Sequence, residues 1–249
     1  MRPFELCDGV RGLFTGRAGG ASAGPYATLN LGGGVGDDPA AVAANRKTVL
    51  ACLGDGPQRL AWLRQVHGTA VVRVAPPAGL ADAARALDAA APADALFTGS
   101  PEVAVGILVA DCAPVLVADP VARLVGAAHA GRRGMASGVV PALLTAMTGA
   151  GARPARMRAV IGPAICGRCY EVPAAMRDEV EAAVPGSACV SSAGTPAIDL
   201  RAGLRGQLAA AGVRAVHEDP RCTAECADLF SYRRDGTTGR FAGLIWLAP

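Results

Sequence analysis

Only three histidines occur among the 249 residues, and two of them share a setting with one of the eight cysteines. His67 in Gln65-Val66-His67-Gly68, Cys112 in Ala110-Asp111-Cys112 and His129 in Ala128-His129-Ala130-Gly131 each lie beside apolar runs, among polar or glycine positions. Nitrogen, sulfur and nitrogen donors suit zinc and leave a fourth tetrahedral position open, the pattern of a catalytic ion. The three are far apart in sequence, unlike the closely spaced ligand pairs of a zinc finger, so a metal site here must be assembled by the fold from separate strands. The same spacing allows a buried thiol with two hydrogen-bonded histidines. It also allows a cysteine hydrolase with Cys112 as nucleophile, His129 as base and Asp111 or Asp94 as orienter, although no nucleophile-elbow glycines surround Cys112. A multicopper oxidase is disfavoured by ligand count, because several coppers need many imidazoles.

A second group, Cys166-x-x-Cys169 with Cys222 and Cys226, offers either a structural four-cysteine zinc site or a redox pair. Cys7, Cys52 and Cys189 read as small apolar fillers. Polar chemistry also concentrates in two glycine-bounded turns, Asn30-Leu31-Gly32 and Phe230 to Gly236.

The elements that must position these groups follow from periodicity and caps. Asp37-Asp38-Pro39 supplies an N-cap carboxylate and a first-turn proline, and Gly54 a stop, so residues 39–53 are expected as a helix. Asn45 and Arg46 fall on its apolar stripe with Val42, Val49, Leu50 and Leu53, and an inward Arg46 must meet a carboxylate, a carbonyl or a ligand. Strands are expected at Val103–Ala110, Val115–Ala118 and Leu124–His129, then a helix beginning near Gly134. That places His129 to Gly134 at a strand-to-helix junction, a candidate anion site. Further helices are expected near 79–90, 173–184 and 199–211, and strands near Met157–Ile161 and Gly243–Leu247. Alternating strands and Ala-rich helices indicate a mixed α/β or α+β fold, read as one unit over 1–249.

Composition narrows the function. With 51% hydrophobic residues, 18% charged and a mean hydropathy of +0.32, the chain has the material for a substantial core and is not disordered. A net charge of +3 with dispersed basic residues, of which only Lys47 is lysine, argues against nucleic acid as the main partner. Apolar runs such as Val103 to Val117 are interrupted by Asp111 and Cys112 and fall short of a membrane span, and the first residues lack a secretory pattern. A cytoplasmic, reducing location is the expectation.

The segments LFTGRAGGASAGPYATLNLGGGVGDDPAAVAANR, QVHG, ADALFTG, ADCAPVLVADP, AAHAGRRG, IGPAICGRCYEV and LFSYRRDGTTGR, in this order, carry a resemblance over almost the whole chain. Together they resemble the YfiH/laccase-domain family, also known as multicopper polyphenol oxidase or peptidoglycan editing factor, whose members are zinc-dependent purine nucleoside phosphorylases that also deaminate adenosine. The resemblance implies an α+β, single-domain αββα sandwich with zinc held by His67, Cys112 and His129. Copper is an adventitious alternative occupant. It implies purine nucleoside and phosphate as partners, with adenosine, inosine and methylthioadenosine as candidate substrates, and a monomer or weak homodimer.

Within that resemblance, Arg46 and Arg133, then Arg234, are the expected phosphate ligands, with Asn30, Asn45 and Tyr170 at the substrate. Asp94 or Asp111 would orient a zinc-activated water or a ligand histidine, and Cys169 would line the pocket. The chain departs from the family pattern at Arg132, where tryptophan is usual after HAG, at Arg168 and Cys166 around the cysteine of CYEV, and at Leu204. The alternatives are a zinc hydrolase acting on cell-wall precursors, a zinc-stabilised binding domain and, least favoured, a copper oxidase.

Overall fold

The computed structural model describes residues 3–54, 56–75 and 87–248. Two six-stranded sheets form its centre. The first contains β1 (Phe4–Cys7), β2 (Val10–Phe14), β3 (Arg59–Arg64), β5 (Leu87–Pro92), β7 (Val103–Val109) and β14 (Phe241–Leu247), in the order β1-β2-β14-β7-β3-β5. The second contains β4 (Val71–Arg73), β6 (Ala95–Thr98), β8 (Ala113–Asp119), β9 (Leu124–Ala130), β10 (Arg158–Ile161) and β13 (Ala215–Glu218), in the order β13-β10-β8-β9-β6-β4. A small ribbon pairs β11 (Ala188–Val190) with β12 (Pro196–Ile198).

The sheets pack face to face through Val105, Ile107, Leu116, Val125, Phe241 and Ile245, all fully buried. On the outer side of the first sheet lies α1 (Pro39–Ala51), whose Val49 packs with Leu29, Trp62 and Trp246. The outer side of the second is covered by α2 (Arg132–Ser137), α3 (Val139–Gly149), α4 (Ala174–Ala183) and α5 (Leu200–Ala210); a short α6 (Tyr232–Asp235) precedes β14. The architecture is therefore α+β, with the expected αββα layers. Covering both faces explains why β8 and β9 are buried at every residue and read as continuous apolar runs.

Local sequence accounts for the main elements. Asp38 caps α1 by accepting from the Ala40 N–H at 3.0 Å, with Pro39 at the first position, and Asp199 caps α5 in the same way. The helix expected after His129 is broken in two by Gly138, which adopts a left-handed φ of +88° between α2 and α3. Val140, Leu143, Leu144 and Met147 then turn inward, and α3 settles closely on β9 because Gly126 carries no side chain: a Cβ there would meet Met147 Sδ at 2.9 Å. Of the helix expected near 79–90, residues 79–86 lie outside the described residues, and 87–90 belong to β5 instead. Periodicity could not separate the two states in a run dominated by alanine.

The direction of the strands locates the site. β5, β3 and β7 run parallel to one another. Each is followed by a strand of the second sheet, so the chain passes between the sheets at 65–70, 93–94 and 110–112. His67, Asp94, Asp111 and Cys112 all stand on these three passages.

Candidate metal centre and cleft

Register brings the donors together. Across the β8–β9 hairpin Pro114 pairs with His129 and Ala113 with Ala130, which puts Cys112 beside the end of β9. Ala95 pairs with Ala128, and the His129 N–H donates to the Asp94 carbonyl at 2.7 Å, which aligns Asp94 with the histidine. His67 reaches the same point from the end of β3 in a left-handed conformation, φ +61°. Its passage is held by Gln65, whose side chain donates to the Leu108 carbonyl at 2.7 Å and accepts from the Leu108 N–H at 2.8 Å.

The side chains of His67, Cys112 and His129 offer ligand atoms within 4.8 Å of one another, and Cys112 Sγ lies 3.7 Å from His67 Nε2. The imidazoles meet edge to face at 4.6 Å between centroids. A zinc–sulfur bond of about 2.3 Å and zinc–nitrogen bonds of about 2.0 Å require such spacing, so the donor set fits zinc. Gly131 adds an independent sign of a cradle kept clear. A Cβ there would meet Cys112 Sγ at 2.7 Å and His67 Cδ2 at 2.9 Å.

Asp94 is fully buried behind this cluster. It accepts from His129 Nδ1 at 2.8 Å and from the N–H groups of His67 at 2.8 Å and Gly68 at 2.7 Å. Burial would push its carboxyl up, but His129 and the N–H groups of Gly68 and Val66 outweigh that and hold it below the usual carboxylate range. With Nδ1 donating to Asp94, Nε2 of His129 is left for a metal. Burial also opposes ionisation of Cys112, yet His129 and His67 pull its thiol down to about 6, the thiolate form a metal ligand requires.

The cluster opens into a cleft of about 1070 Å³. Gly32 to Val35, Arg46, Arg64, Arg132, Tyr170, Tyr232, Arg233 and Arg240 are among its walls. Arg46 is anchored as its helical position demanded, by a carbonyl: its Nε donates to Leu31 at 3.1 Å and its guanidinium lies over Trp62. Burial pulls Arg240 below its ordinary value, against the charges of Cys112 and Asp111. Tyr170 carries Arg233 over its ring at 5.2 Å.

Other expected site residues are placed differently. Arg133 is exposed at the start of α2, whereas Arg132 lines the cleft. Arg234 is spent on the carbonyls of Thr223, Cys226 and Leu229 and on Asp235. Asn30 and Asn45 are buried braces: Asn30 binds the N–H groups of Gly32 and Arg240, and Asn45 donates to the Asn30 carbonyl, fixing the glycine loop that forms one wall. Asp111 lines the cleft, but its carboxylate is engaged by the hydroxyls of Thr223 and Ser231 and the Arg233 N–H at 2.5, 2.7 and 2.6 Å. Cys169 lies outside the cleft lining and joins Cys166 and Cys222. Cys52, expected as a filler, is exposed.

Gln65, Arg64 and Arg240 escaped the sequence reading. Gln65 opens the QVHG segment and Arg240 closes LFSYRRDGTTGR, so the motifs themselves were the available signal. No helix among the described residues is long and apolar enough to cross a membrane.

Comparison with known proteins agrees with this architecture. The family described as multi-copper polyphenol oxidoreductase laccase matches residues 11–248. A Streptomyces griseus protein named purine nucleoside phosphorylase ORF3 is 55% identical over 235 residues, covering 94% of this chain and 93% of its own. A Mycobacterium tuberculosis protein, purine nucleoside phosphorylase Rv2149c, is 50% identical over 238 residues, covering 96% and 92%. Among solved structures, YlmD from Geobacillus stearothermophilus superposes with a TM-score of 0.87 at 35% identity, covering 98% of this chain and 94% of that one. Neisseria meningitidis protein NMB0706 gives 0.85 at 39% identity, covering 98% and 96%. Sequence, fold and donor set together show that this chain belongs to the YfiH/laccase-domain family.

Proposed function

We propose that this protein is a zinc-dependent purine nucleoside phosphorylase. Phosphate attacks the anomeric carbon of the ribose, the glycosidic bond breaks, and the base and ribose 1-phosphate are the products. The observation that carries this reading is the convergence of the His67, Cys112 and His129 cluster with Arg46, Arg132 and Arg240 in one cleft. The names borne by relatives about half identical over nearly their full lengths support it.

His67, Cys112 and His129 would hold the zinc, which supplies Lewis-acid polarisation of the bound nucleoside. The rest of the chemistry falls to the chain. A phosphate dianion requires fixed cations in a partly desolvated place, and Arg132, Arg240 and Arg46 line the cleft in that role. Arg240 reaches it pre-oriented, with its guanidinium held by the carbonyls of Thr238 and Gly239 at 2.9 Å each. Holding nucleophile and ribose together converts a bimolecular encounter into an oriented one. Tyr170 and Tyr232 offer aromatic surface for the base. Asp94 acts through the ligand histidines and Asp111 through the loop it tethers; both are positioning residues. Deamination of adenosine and cleavage of methylthioadenosine are finer readings of the same cleft.

The test is product analysis of metal-quantified protein with adenosine or inosine, with and without phosphate. Base and ribose 1-phosphate formed only with phosphate, and lost in His129→Ala, are expected. Release of base and free ribose without phosphate would replace the phosphorylase with a hydrolase, and ammonia release from adenosine reports the deaminase.

A further inference from the structure

A second cluster lies beside the cleft, where the Cys166-x-x-Cys169 turn meets the turn beginning at Cys222. Cys166, Cys169, Cys222 and Glu225 offer ligand atoms all within 4.8 Å of one another. The geometry points to a second metal site, a zinc ion held by these four residues that staples the 164–171 segment to the 221–226 segment.

Four observations carry it. Tetrahedral bonds of about 2.3 Å to sulfur place neighbouring sulfurs about 3.8 Å apart, so the observed spacing needs movement of only about an ångström. The backbone of both segments is already fixed for it. Ala164 and Cys222 form a bridge, the Thr223 N–H donates to the Ala164 carbonyl at 3.2 Å, and the Cys166 N–H donates to Cys222 Sγ at 3.3 Å. Glu225 takes the fourth place that the sequence had offered to Cys226. The turn after Cys222 is helical, with the N–H groups of Glu225 and Cys226 both reaching the Cys222 carbonyl, and it directs Glu225 Oε1 to 3.5 Å from Cys169 Sγ while Cys226 packs against the core between the sheets. Finally, Arg168 donates to both oxygens of Glu225 at 3.1 and 3.2 Å, orienting the carboxylate and offsetting the charge of three thiolates. Three soft donors and a carboxylate favour zinc over the hard cations.

The site would act on the cleft without entering it. The Ile165 N–H donates to the Asp111 carbonyl at 2.9 Å, and the Thr223 hydroxyl to the Asp111 carboxylate, so each stapled segment grips Asp111 from one side. Tyr170, a wall of the cleft, follows Cys169 directly. Binding displaces the thiol protons and is therefore favoured by rising pH. The site stands independently of the reaction proposed above.

Metal content tests it without reference to turnover. Cys112→Ser removes a ligand of the cleft cluster, and protein carrying it, purified with reductant and passed over a mild chelator, is expected to keep about one zinc per chain. Adding Cys169→Ser should remove that zinc, whereas adding Cys52→Ser, at an exposed position elsewhere, should not. If the buried Cys222 tolerates no substitution, cobalt(II) loading of the Cys112→Ser protein gives a second readout. Its sulfur-to-metal absorption is expected to fall when Cys166 or Cys169 is replaced and to shift in Glu225→Gln. Residual zinc and cobalt absorption indifferent to these changes would overturn the site. So would a Cys166–Cys169 disulfide in protein that holds no zinc beyond that lost with Cys112→Ser, which would make the pair a redox couple.

Discussion

His129 Nδ1 and Asp94 Oδ1 are 2.8 Å apart, both side chains are shut away from solvent, and the same carboxylate also receives the His67 N–H. One buried group thus fixes a ligand histidine by its ring and another by its backbone. Asp94→Asn exchanges an acceptor oxygen for an amide that would confront those donors. Zinc affinity is expected to fall about 10–100-fold, the usual cost of losing such support. Competition with a chromophoric chelator measures it, alongside circular dichroism to follow folding. Unchanged affinity in folded protein would leave Asp94 a purely structural acid.

Gly131 is required by contact rather than by conformation, since its φ of −78° is open to any residue. Gly131→Ala drives a methyl against Cys112 Sγ and His67 Cδ2. Overpacking of this kind costs about 1–3 kcal/mol. The strain falls on the ligands, so the variant is expected to lose the zinc of the cleft while keeping that of the Cys166, Cys169, Cys222 and Glu225 cluster, as read by elemental analysis after desalting. Full zinc content would mean that His67 swings aside at no cost.

The three clustered donors were legible because His67 and His129 are two of only three histidines and, with Cys112, stand at the ends of apolar runs, where a fold exposes chemistry. What brings them together was not. Val103–Val109 and Ala113–Asp119 look like neighbours in one sheet, yet they lie in different sheets, and the passage between them runs through Asp111 at a left-handed φ of +96° that no residue pattern announces. The arginines show the limit more sharply. Arg132 and Arg133 are adjacent and chemically identical, and only the helical rotation between consecutive residues sends one into the cleft and the other into solvent.

That rotation makes a paired experiment. Arg132→Ala removes a cation from the cleft wall and is expected to raise the KM for phosphate about tenfold, or about 1.4 kcal/mol. Arg133→Ala should stay within about twofold, as exposed substitutions away from a site usually do. Steady-state rates with phosphate varied at saturating nucleoside compare the two. Equal effects, or a larger one at Arg133, would place the phosphate outside the cleft.

Acid stability should depend on Asp119, at the end of β8. Burial would raise its carboxyl, but the Ala122 N–H, the Arg156 guanidinium and the Arg153 N–H more than compensate, and the acid is held below its usual range. A carboxyl with a depressed folded pKa stabilises fully above the unfolded value, about 3.9, and that stability drains away as pH falls through the folded pKa. Asp119→Asn keeps one acceptor but loses the charge and is expected to cost about 1–3 kcal/mol at pH 7. Denaturant unfolding at pH 7 and again below pH ~4 should show the gap between parent and variant closing in acid. A gap that persists undiminished would mean that the β8 turn depends on the shape of Asp119 and not on its charge.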